Sequence, residues 1–145
     1  MKKIVIYKYF CDKFMREIKL QTRSRIEMID ITASVQAVID SEKVSDGLCI
    51  IFSPHTTAAI TINENADPDV PLDITAALDR VVPLSAGYRH SEGNSAAHVK
   101  SSLVGASEIV IIEKGCLVLG TWQSIFFCEF DGPRTRKYMI KILPS

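Results

Sequence analysis

Apolar and polar residues alternate along two early segments of the chain, residues 14–22 and 26–31. A period of two is the spacing of a strand that buries one face. Residues 48–52 form an unbroken apolar run, typical of a strand buried on both faces, and residues 58–62 resume the strand pattern. The first half of the sequence therefore predicts four strands.

Apolar residues at helical spacing occur in residues 32–44, 71–82 and 95–104. Thr32 is predicted to cap the first helix, and Pro71 suits the first turn of the second. The stripe of the third helix that we expect to face the core consists of Ala96, Val99 and Leu103. Three short helices are therefore predicted between the strands.

The last third of the chain has three strand signals, residues 109–112, 117–129 and 137–143, separated by two glycine-containing turns. Successive strands joined in this way predict a C-terminal β-meander. Strands at both ends of the chain, with helices between them, favour a single α+β domain over residues 1–145 with mixed or antiparallel sheets.

The composition narrows the classes of function. The 145 residues are 47% hydrophobic and 23% charged, as in a packed globular protein, and no segment reaches the ~18 apolar residues that a membrane span requires. Lys+Arg and Asp+Glu both number 17, so no basic patch for nucleic acid stands out. Lys8 and Asp12 interrupt the apolar N-terminal segment, which lacks the pattern of a secretory signal. We expect a cytoplasmic protein that binds neither nucleic acid nor membranes.

The four cysteines form no CxxC pair, and three of them, Cys49, Cys116 and Cys128, lie in strongly apolar runs. This pattern predicts reduced cysteines in the core. A disulfide framework or a thiolate metal site is the alternative, but either would have denser cysteine spacing.

Three histidines lie where predicted elements end. His55 falls between two strands, His90 is in a polar stretch, and His98 is near the start of the third helix. Imidazole is a common ligand of zinc and related metals, and three imidazoles leave one position open for water or substrate. The histidines therefore predict a catalytic metal site. Scattered hydrogen-bonding histidines are the alternative, which their spacing leaves open.

Two further segments carry candidate catalytic and binding side chains. Asn63 and Glu64 follow a predicted strand, and Glu64 suits a general base or the partner of a ligating imidazole. Trp122 and Gln123 follow a glycine that interrupts an apolar strand, as at a bulge. The alternatives are an ordinary polar loop for the first segment and a core tryptophan for the second.

Arg134 and Arg136 follow the Asp131-Gly132-Pro133 turn. A guanidinium presents a planar fork of donors that matches phosphate or carboxylate oxygens, so both arginines are candidates for binding an anionic substrate. Arginines beside a turn are also common as solvated surface residues, and the sequence leaves both interpretations open.

Together these segments resemble the YjbQ family, also called the secondary thiamine-phosphate synthase family, over about residues 18–143. The segments that carry the resemblance are Asp30-Ile31-Thr32, His55-Thr56-Thr57-Ala58, Asn63-Glu64-Asn65 with Asp67-Pro68, Tyr88 with His90, Glu92-Gly93-Asn94, His98 with Lys100-Ser101-Ser102-Leu103, Gly115, Leu119-Gly120-Thr121-Trp122-Gln123 and Asp131-Gly132-Pro133-Arg134. Residues 1–10 fall outside this pattern, and we interpret them as an additional edge strand or a subunit contact.

The resemblance implies an α+β domain that assembles as a homotrimer, with sheets packed around a threefold axis. It also implies that His55, His90 and His98 belong to one site. The reaction assigned to the family joins a hydroxymethylpyrimidine diphosphate to a thiazole phosphate and releases diphosphate, so the expected substrate is a small phosphorylated molecule.

For that reaction, Arg134 and Arg136 are expected to neutralise the diphosphate leaving group together with a cation. Amide and aromatic side chains are expected to hold the pyrimidine. The other candidates for catalysis and substrate binding are Asn63, Glu64, Gln123, Trp122, Asn94 and Asp131.

The identity of the metal separates the possible reactions. Displacement of diphosphate normally uses magnesium, which prefers oxygen ligands, whereas three imidazoles favour a zinc-like ion. A metal-dependent hydrolase of a small metabolite, with Glu64 as base, is therefore the second hypothesis. A non-catalytic module that binds a metal or a metabolite is the third.

Overall fold

Eight strands and three helices follow one another along residues 15–145, the part of the chain that the computed structural model describes. The interpretation of residues 1–10 and the predicted strand start at Phe14 lie outside the described residues. The elements are β1 (Met15–Gln21), β2 (Glu27–Asp30), α1 (Thr32–Glu42), β3 (Gly47–Phe52), β4 (Ala58–Glu64), α2 (Asp69–Val81), α3 (Ser95–Val104), β5 (Ser107–Glu113), β6 (Cys116–Leu117), β7 (Gln123–Glu129) and β8 (Thr135–Pro144).

Two antiparallel sheets form the centre of the molecule. One has five strands in the order β1-β8-β3-β5-β6, and the other has three in the order β2-β7-β4. The main core lies between the inner faces of these sheets and includes the buried side of α1. Its fully buried side chains include Ile39 of α1, Ile51 of β3, Phe127 of β7 and Ile140 of β8. The predicted α+β class is confirmed.

A second apolar cluster lies on the opposite face of the three-stranded sheet. Phe126 and Cys128 of β7 pack there against Ala97 of α3, and Leu78 of α2 packs at its border. Because β7 alternates its side chains between both faces, it contributes to both clusters and is buried from Ile125 onward. Helices α2 and α3 therefore form an outer layer over β4 and β7.

The outer face of the five-stranded sheet carries apolar side chains that no other described element covers. Leu48 and Phe52 of β3 are 40% and 41% exposed, so the prediction of a strand buried on both faces is wrong. Leu48 pairs across the sheet with Ile111, and Ile50 with Ile109. Strand β3 instead alternates, with Cys49 and Ile51 among the core residues.

The predicted strand 117–129 is two strands in different sheets, and the predicted C-terminal meander is therefore wrong. Strand β6 pairs with β5, whereas β7 lies between β2 and β4. A tight turn at Gly120 separates them. The Gln123 N–H donates to the Gly120 carbonyl at 3.0 Å, and the Gly120 N–H donates to Gln123 Oε1 at 2.8 Å.

Helix α3 buries only Ala96 of the predicted stripe. Val99 and Leu103 are 39% and 61% exposed, while Lys100 and Ser101 are buried. Lys100 forms an ion pair with Asp79 of α2, and the Ser101 hydroxyl donates to the Ala58 carbonyl at 2.8 Å. These polar contacts fix the orientation of the helix together with the packing of Ala97 in the second apolar cluster.

The starts of α1 and α2 also differ from prediction. Helix α1 begins at Thr32 itself, whose hydroxyl accepts a hydrogen bond from the Ile125 N–H at 2.8 Å instead of capping the helix. Helix α2 begins at Asp69, two residues before Pro71, and its acidic first residue suits the positive end of the helix dipole.

Two of the predicted core cysteines are buried and the third is not. Burial raises the pKa of Cys49 to about 11 and that of Cys128 to about 12, which makes both thiols unreactive. Cys116 is exposed because it lies on the short edge strand β6. Over residues 15–145, none of the helices has the length and apolar character needed to cross a membrane.

Candidate functional site

His90 and His98 lie in direct ring contact beside the first turns of α3. Their ring centroids are 5.5 Å apart and their planes are inclined at 77°. His98 is on the helix, and His90 is in the loop that precedes it. Asn94, the residue before the helix, anchors this loop by donating from Nδ2 to Asp131 Oδ2 at 2.9 Å. The structure thus brings together two of the three predicted metal-binding histidines.

The histidine pair lines a surface groove of about 510 Å³ whose wall is formed by Tyr88, Arg89, His90, Ser95, His98 and Val99. Arg89 is exposed and has no hydrogen-bond or ion-pair partner among residues 15–145. Sequence reasoning missed this arginine, although the run Tyr88-Arg89-His90 was a signal for it. The groove combines a free guanidinium with two imidazoles.

His55 lies in the connection between β3 and β4 and faces a second groove, of about 410 Å³, which it shares with His98. Its Nε2 accepts a hydrogen bond from the Lys137 N–H at 3.0 Å. Burial and then the charge of Arg136 lower the pKa of His55, which therefore favours the neutral ring. Since His98 lines both grooves, all three histidines lie along one continuous face.

A buried ion pair supports this face from behind. Arg136 donates from Nε to Glu129 Oε2 at 2.7 Å and from Nη2 to Glu129 Oε1 at 2.6 Å, with side-chain exposures of 5% and 0%. Arg136 Nη2 also donates to the Thr57 hydroxyl at 2.7 Å, and the Thr22 hydroxyl donates to Glu129 at 3.0 Å. The prediction that Arg136 binds substrate is corrected, because its guanidinium is engaged inside the protein.

Burial raises the pKa of Glu129, but hydrogen bonds from Arg136 and from the Asp131 N–H, with the charge of Arg136, outweigh burial and lower the pKa overall. The carboxylate therefore stays ionised in the folded protein. A buried charge pair with this many partners is a structural device that holds β7, β8 and the residues around Thr57 together.

Asp131 connects the turn after β7 to α3. Arg134 Nη2 donates to Asp131 Oδ2 at 2.8 Å, and the same oxygen accepts from Asn94. The Arg134 side chain is half exposed and remains open on its solvent side. Asn94 Oδ1 is the only buried side-chain N or O atom without a partner within residues 15–145, so it is available to a donor.

The remaining candidates lie at the opposite end of the same sheet. Glu64 pairs with Gln123, and Asn63 with its neighbour in β7, whereas the histidine end starts at the Ala58–Glu129 pair. Seven strand residues span roughly 20 Å at about 3.3 Å per residue. Glu64 therefore cannot act on, or orient, the imidazoles of its own chain, which corrects that prediction.

This far end is held by exposed hydrogen bonds. Asn65 donates from Nδ2 to Asp30 Oδ2 at 2.7 Å, and the Asn65 N–H donates to the Trp122 carbonyl at 2.9 Å. The Trp122 side chain is 63% exposed, so the alternative of a core tryptophan is wrong. The predicted site is thus divided into a histidine end and an amide end, the latter formed by Asn63, Glu64, Asn65, Trp122 and Gln123.

The histidine pair fits a metal ion in part. Two imidazoles bound at about 2.0 Å to one tetrahedral zinc have ring centres roughly 5 Å apart, close to the separation of His90 and His98. However, residues 15–145 contain no group of three His, Cys, Asp or Glu arranged to hold a metal. His55 does not join the pair, because its Nε2 lone pair is already used.

Comparison with known sequences identifies the relatives of the chain. The sequence profile described as "UPF0047 protein YjbQ-like" matches residues 16–145. The UPF0047 protein YugU of Bacillus subtilis is 54% identical over 130 residues, covering 89% of this chain and 98% of that protein. A UPF0047 protein of Methanocaldococcus jannaschii is 50% identical, covering 90% and 95% respectively.

Solved structures agree with the sequence comparison. A crystal structure of an uncharacterised YjbQ/UPF0047 protein from Clostridium acetobutylicum matches with a TM-score of 0.87 and 55% identity, covering 88% of this chain and 99% of that one. A YbjQ-like protein of unknown function from Sulfolobus solfataricus matches with a TM-score of 0.87 and 32% identity, covering 91% and 97%. The chain therefore belongs to the YjbQ/UPF0047 family.

Proposed function

We propose that the protein is an enzyme that acts on a small phosphorylated substrate at the histidine end, with a divalent metal ion bound by His90 and His98. The observation that carries this proposal is the meeting of Arg89, His90 and His98 in one groove at the start of α3. An unpartnered guanidinium beside a pair of imidazoles suits a phosphate that is bound to both the arginine and a cation.

The residues of the groove bind different parts of the substrate and ion. Arg89 donates to phosphate oxygens from its free fork, and the backbone N–H groups of the first turn of α3 add a positive partial charge beside it. His90 and His98 hold the ion through one nitrogen each. The ion, when bound, supplies positive charge that stabilises the phosphate oxygens as charge develops on them. Arg134 adds a second positive group near the open Asn94 oxygen.

Two reactions suit such a site. The first is transfer with release of diphosphate, as implied for the thiamine-phosphate synthase activity that the family resemblance suggests. The second is hydrolysis of a phosphoester. The imidazole ligands favour this reaction, because imidazoles select zinc-like ions over magnesium. Both reactions begin with the same phosphate contact at Arg89.

The Arg89→Ala variant tests the phosphate contact that both reactions share. We expect at least a tenfold weaker affinity for inorganic phosphate, because a charge-assisted bidentate contact is lost. Arg80→Ala is the matched control, since Arg80 is exposed on α2 and does not line the groove. Equal phosphate affinity in the two variants would contradict the proposal.

Assays of turnover separate the candidate reactions. Formation of thiamine phosphate from the two phosphorylated precursors, lost in Arg89→Ala, would establish the transferase. Release of phosphate from simple phosphoesters with added zinc, abolished by a chelator, would establish the hydrolase. Tight phosphate binding with neither turnover would leave a binding module and overturn the enzymatic proposal.

We further propose that three copies of the chain assemble around a threefold axis through the outer face of the five-stranded sheet. Ile109 and Ile111 are 61% and 57% exposed and adjoin Leu48 and Ile50 of β3, so β3 and β5 form an apolar patch on this face. The unpaired thiols of Cys49, Cys116 and Cys128 suit a reducing compartment, which supports a cytoplasmic location.

The Ile109→Asp variant tests the assembly. We expect the mass in solution to fall from that of a trimer to that of a monomer, because a carboxylate would be buried in the interface. Val81→Asp, which changes an apolar residue of α2 that is 73% exposed, should leave the mass unchanged. A wild-type monomer by native mass spectrometry would contradict the proposal.

A further inference from the structure

The hydrogen bond from Lys137 fixes the chemical state of His55. A backbone N–H can only donate, so the His55 Nε2 that it contacts at 3.0 Å must be the unprotonated nitrogen. In a neutral imidazole the proton then lies on Nδ1. Neither nitrogen retains a free lone pair, because Nε2 accepts from the backbone and Nδ1 carries hydrogen. His55 in this arrangement is a donor and not a metal ligand.

The Nδ1 atom of His55 is not buried, and the His55 side chain lines the second groove. No acceptor among residues 15–145 contacts it, and it is not among the buried atoms without a partner, since Asn94 Oδ1 is the only one of those. An unpaired N–H that is not buried is accessible to solvent or to a ligand. The groove is also lined by Thr56, Ser101 and Ser102.

The surroundings of His55 favour the neutral ring. Burial is the main cause that lowers the pKa of His55, and the positive charges of Arg136 and Lys137 lower it further, against the opposing charge of Glu129. A neutral ring keeps one fixed donor at neutral pH, because protonation would break the hydrogen bond from Lys137. The ring orientation is fixed further by an edge contact with Phe127, at a centroid distance of 6.5 Å.

We propose that His55 donates a hydrogen bond from Nδ1 to a phosphoryl oxygen of the substrate, and that it binds no metal. This inference rests on the proposed function, since it places the phosphate between the two grooves that His98 joins. His55 then contacts the phosphorylated group from the second groove, and Arg89 contacts it from the first. The histidines divide into a metal-binding pair and one substrate-binding donor.

A tautomer measurement tests the chemical state directly. Long-range proton–nitrogen correlation spectra of the full chain, labelled with ¹⁵N-histidine, distinguish Nδ1–H from Nε2–H rings. We expect Nδ1–H for His55 at neutral pH, with its nitrogen resonances retained when zinc is added while those of His90 and His98 shift. An Nε2–H ring, or loss of the His55 tautomer on zinc addition, would overturn the proposal.

A pair of variants tests the role in binding. His55→Gln places an amide oxygen where Nε2 accepts from Lys137 but removes the donor, whereas His55→Asn places an amide donor near Nδ1. We expect the affinity for inorganic phosphate to fall about tenfold in His55→Gln and to be largely kept in His55→Asn. Wild-type affinity in His55→Gln would overturn the proposal, as would loss of zinc binding in that variant.

These measurements distinguish failure of the proposed function from failure of the role of His55 alone. If zinc and phosphate do not bind the wild-type protein, the proposed function fails, whatever the tautomer of His55. If both bind but His55→Gln is indistinguishable from wild type in phosphate affinity, only the role of His55 fails. The melting temperatures of His55→Gln and His55→Asn show whether a change in the hydrogen bond from Lys137 alters the stability of the fold.

Discussion

The two ends of the three-stranded sheet are built in opposite ways. At the histidine end, a buried ion pair between Glu129 and Arg136 supports an outward face of imidazoles. At the amide end, Trp122 and the Asp30–Asn65 hydrogen bond are exposed to solvent. Because catalytic groups need rigid support, this comparison favours the histidine end as the place of chemistry.

The same strands supply both ends, so the difference comes from the residues that follow them. Strand β7 ends at Glu129 with a charge that must be paired, whereas it begins at Gln123 with an exposed amide. A buried charge requires its partners to be in one arrangement, while an exposed amide can exchange its partner for water. We therefore expect the side chains of the histidine end to be held more firmly in one arrangement.

The largest predicted effect comes from breaking the buried ion pair. Glu129→Gln leaves Arg136 charged and incompletely paired, and we expect a loss of about 3–5 kcal/mol in the free energy of unfolding. Urea denaturation measures it. Adding Arg136→Met to this variant should restore part of the stability, because it removes the unpaired charge. A loss below about 1 kcal/mol would contradict the structural role of the pair.

The pH dependence of stability is the next largest effect. The folded-state pKa of Glu129 lies below its ordinary value, so the ionised carboxylate stabilises the fold above the unfolded pKa. This stability is lost as the pH falls through the folded pKa. The wild-type protein should therefore lose more stability on acidification than Glu129→Gln. Melting temperature as a function of pH measures this difference. Parallel curves for the two proteins would exclude Glu129 as the source of the pH dependence.

A smaller effect is predicted at the amide end. Asn65→Ala removes the exposed hydrogen bond to Asp30, and we expect a loss of about 1 kcal/mol in the free energy of unfolding. Urea denaturation at neutral pH measures it beside Glu129→Gln. If Asn65→Ala cost as much as Glu129→Gln, the two ends would be equally ordered and the comparison would fail.

The smallest effect is predicted for Trp122→Ala. With 63% of the side chain exposed, we expect a change within about 0.5 kcal/mol in the free energy of unfolding. Phosphate affinity should also be unchanged if the substrate lies at the histidine end. A tenfold loss of phosphate affinity would instead show that the amide end takes part in the site, which requires a second copy of the chain.

Most of the secondary structure follows from the sequence. The predictions fail where the structure depends on more than the local spacing of apolar residues. Alternation predicted β1 and β2, the β-branched strand pattern predicted β4, and helical spacing predicted the three helices, because local period reports the type of element. The division of residues 117–129 between two sheets was not predictable from period. It depends on the turn at Gly120, which the pattern suggested only as a bulge.

The candidate site was predictable by residue type but not by location. The sequence indicated polar clusters at His55, His90 and Glu64. No local pattern shows that the length of strand β4 separates Glu64 from His55. The orientation of α3 was also hidden, because Lys100 is buried through its ion pair with Asp79. Strand pairing sets the first feature and a distant ion pair the second, and single-sequence periodicity reports neither.

Zinc titration of the full chain by calorimetry, after purification without an affinity tag, tests the central claim most directly. The account predicts that wild-type protein binds zinc, that His90→Ala and His98→Ala lose this binding, and that Glu64→Gln at the amide end keeps it. Unchanged zinc binding in His98→Ala, or its loss in Glu64→Gln, would contradict the assignment of the chemistry to the histidine end.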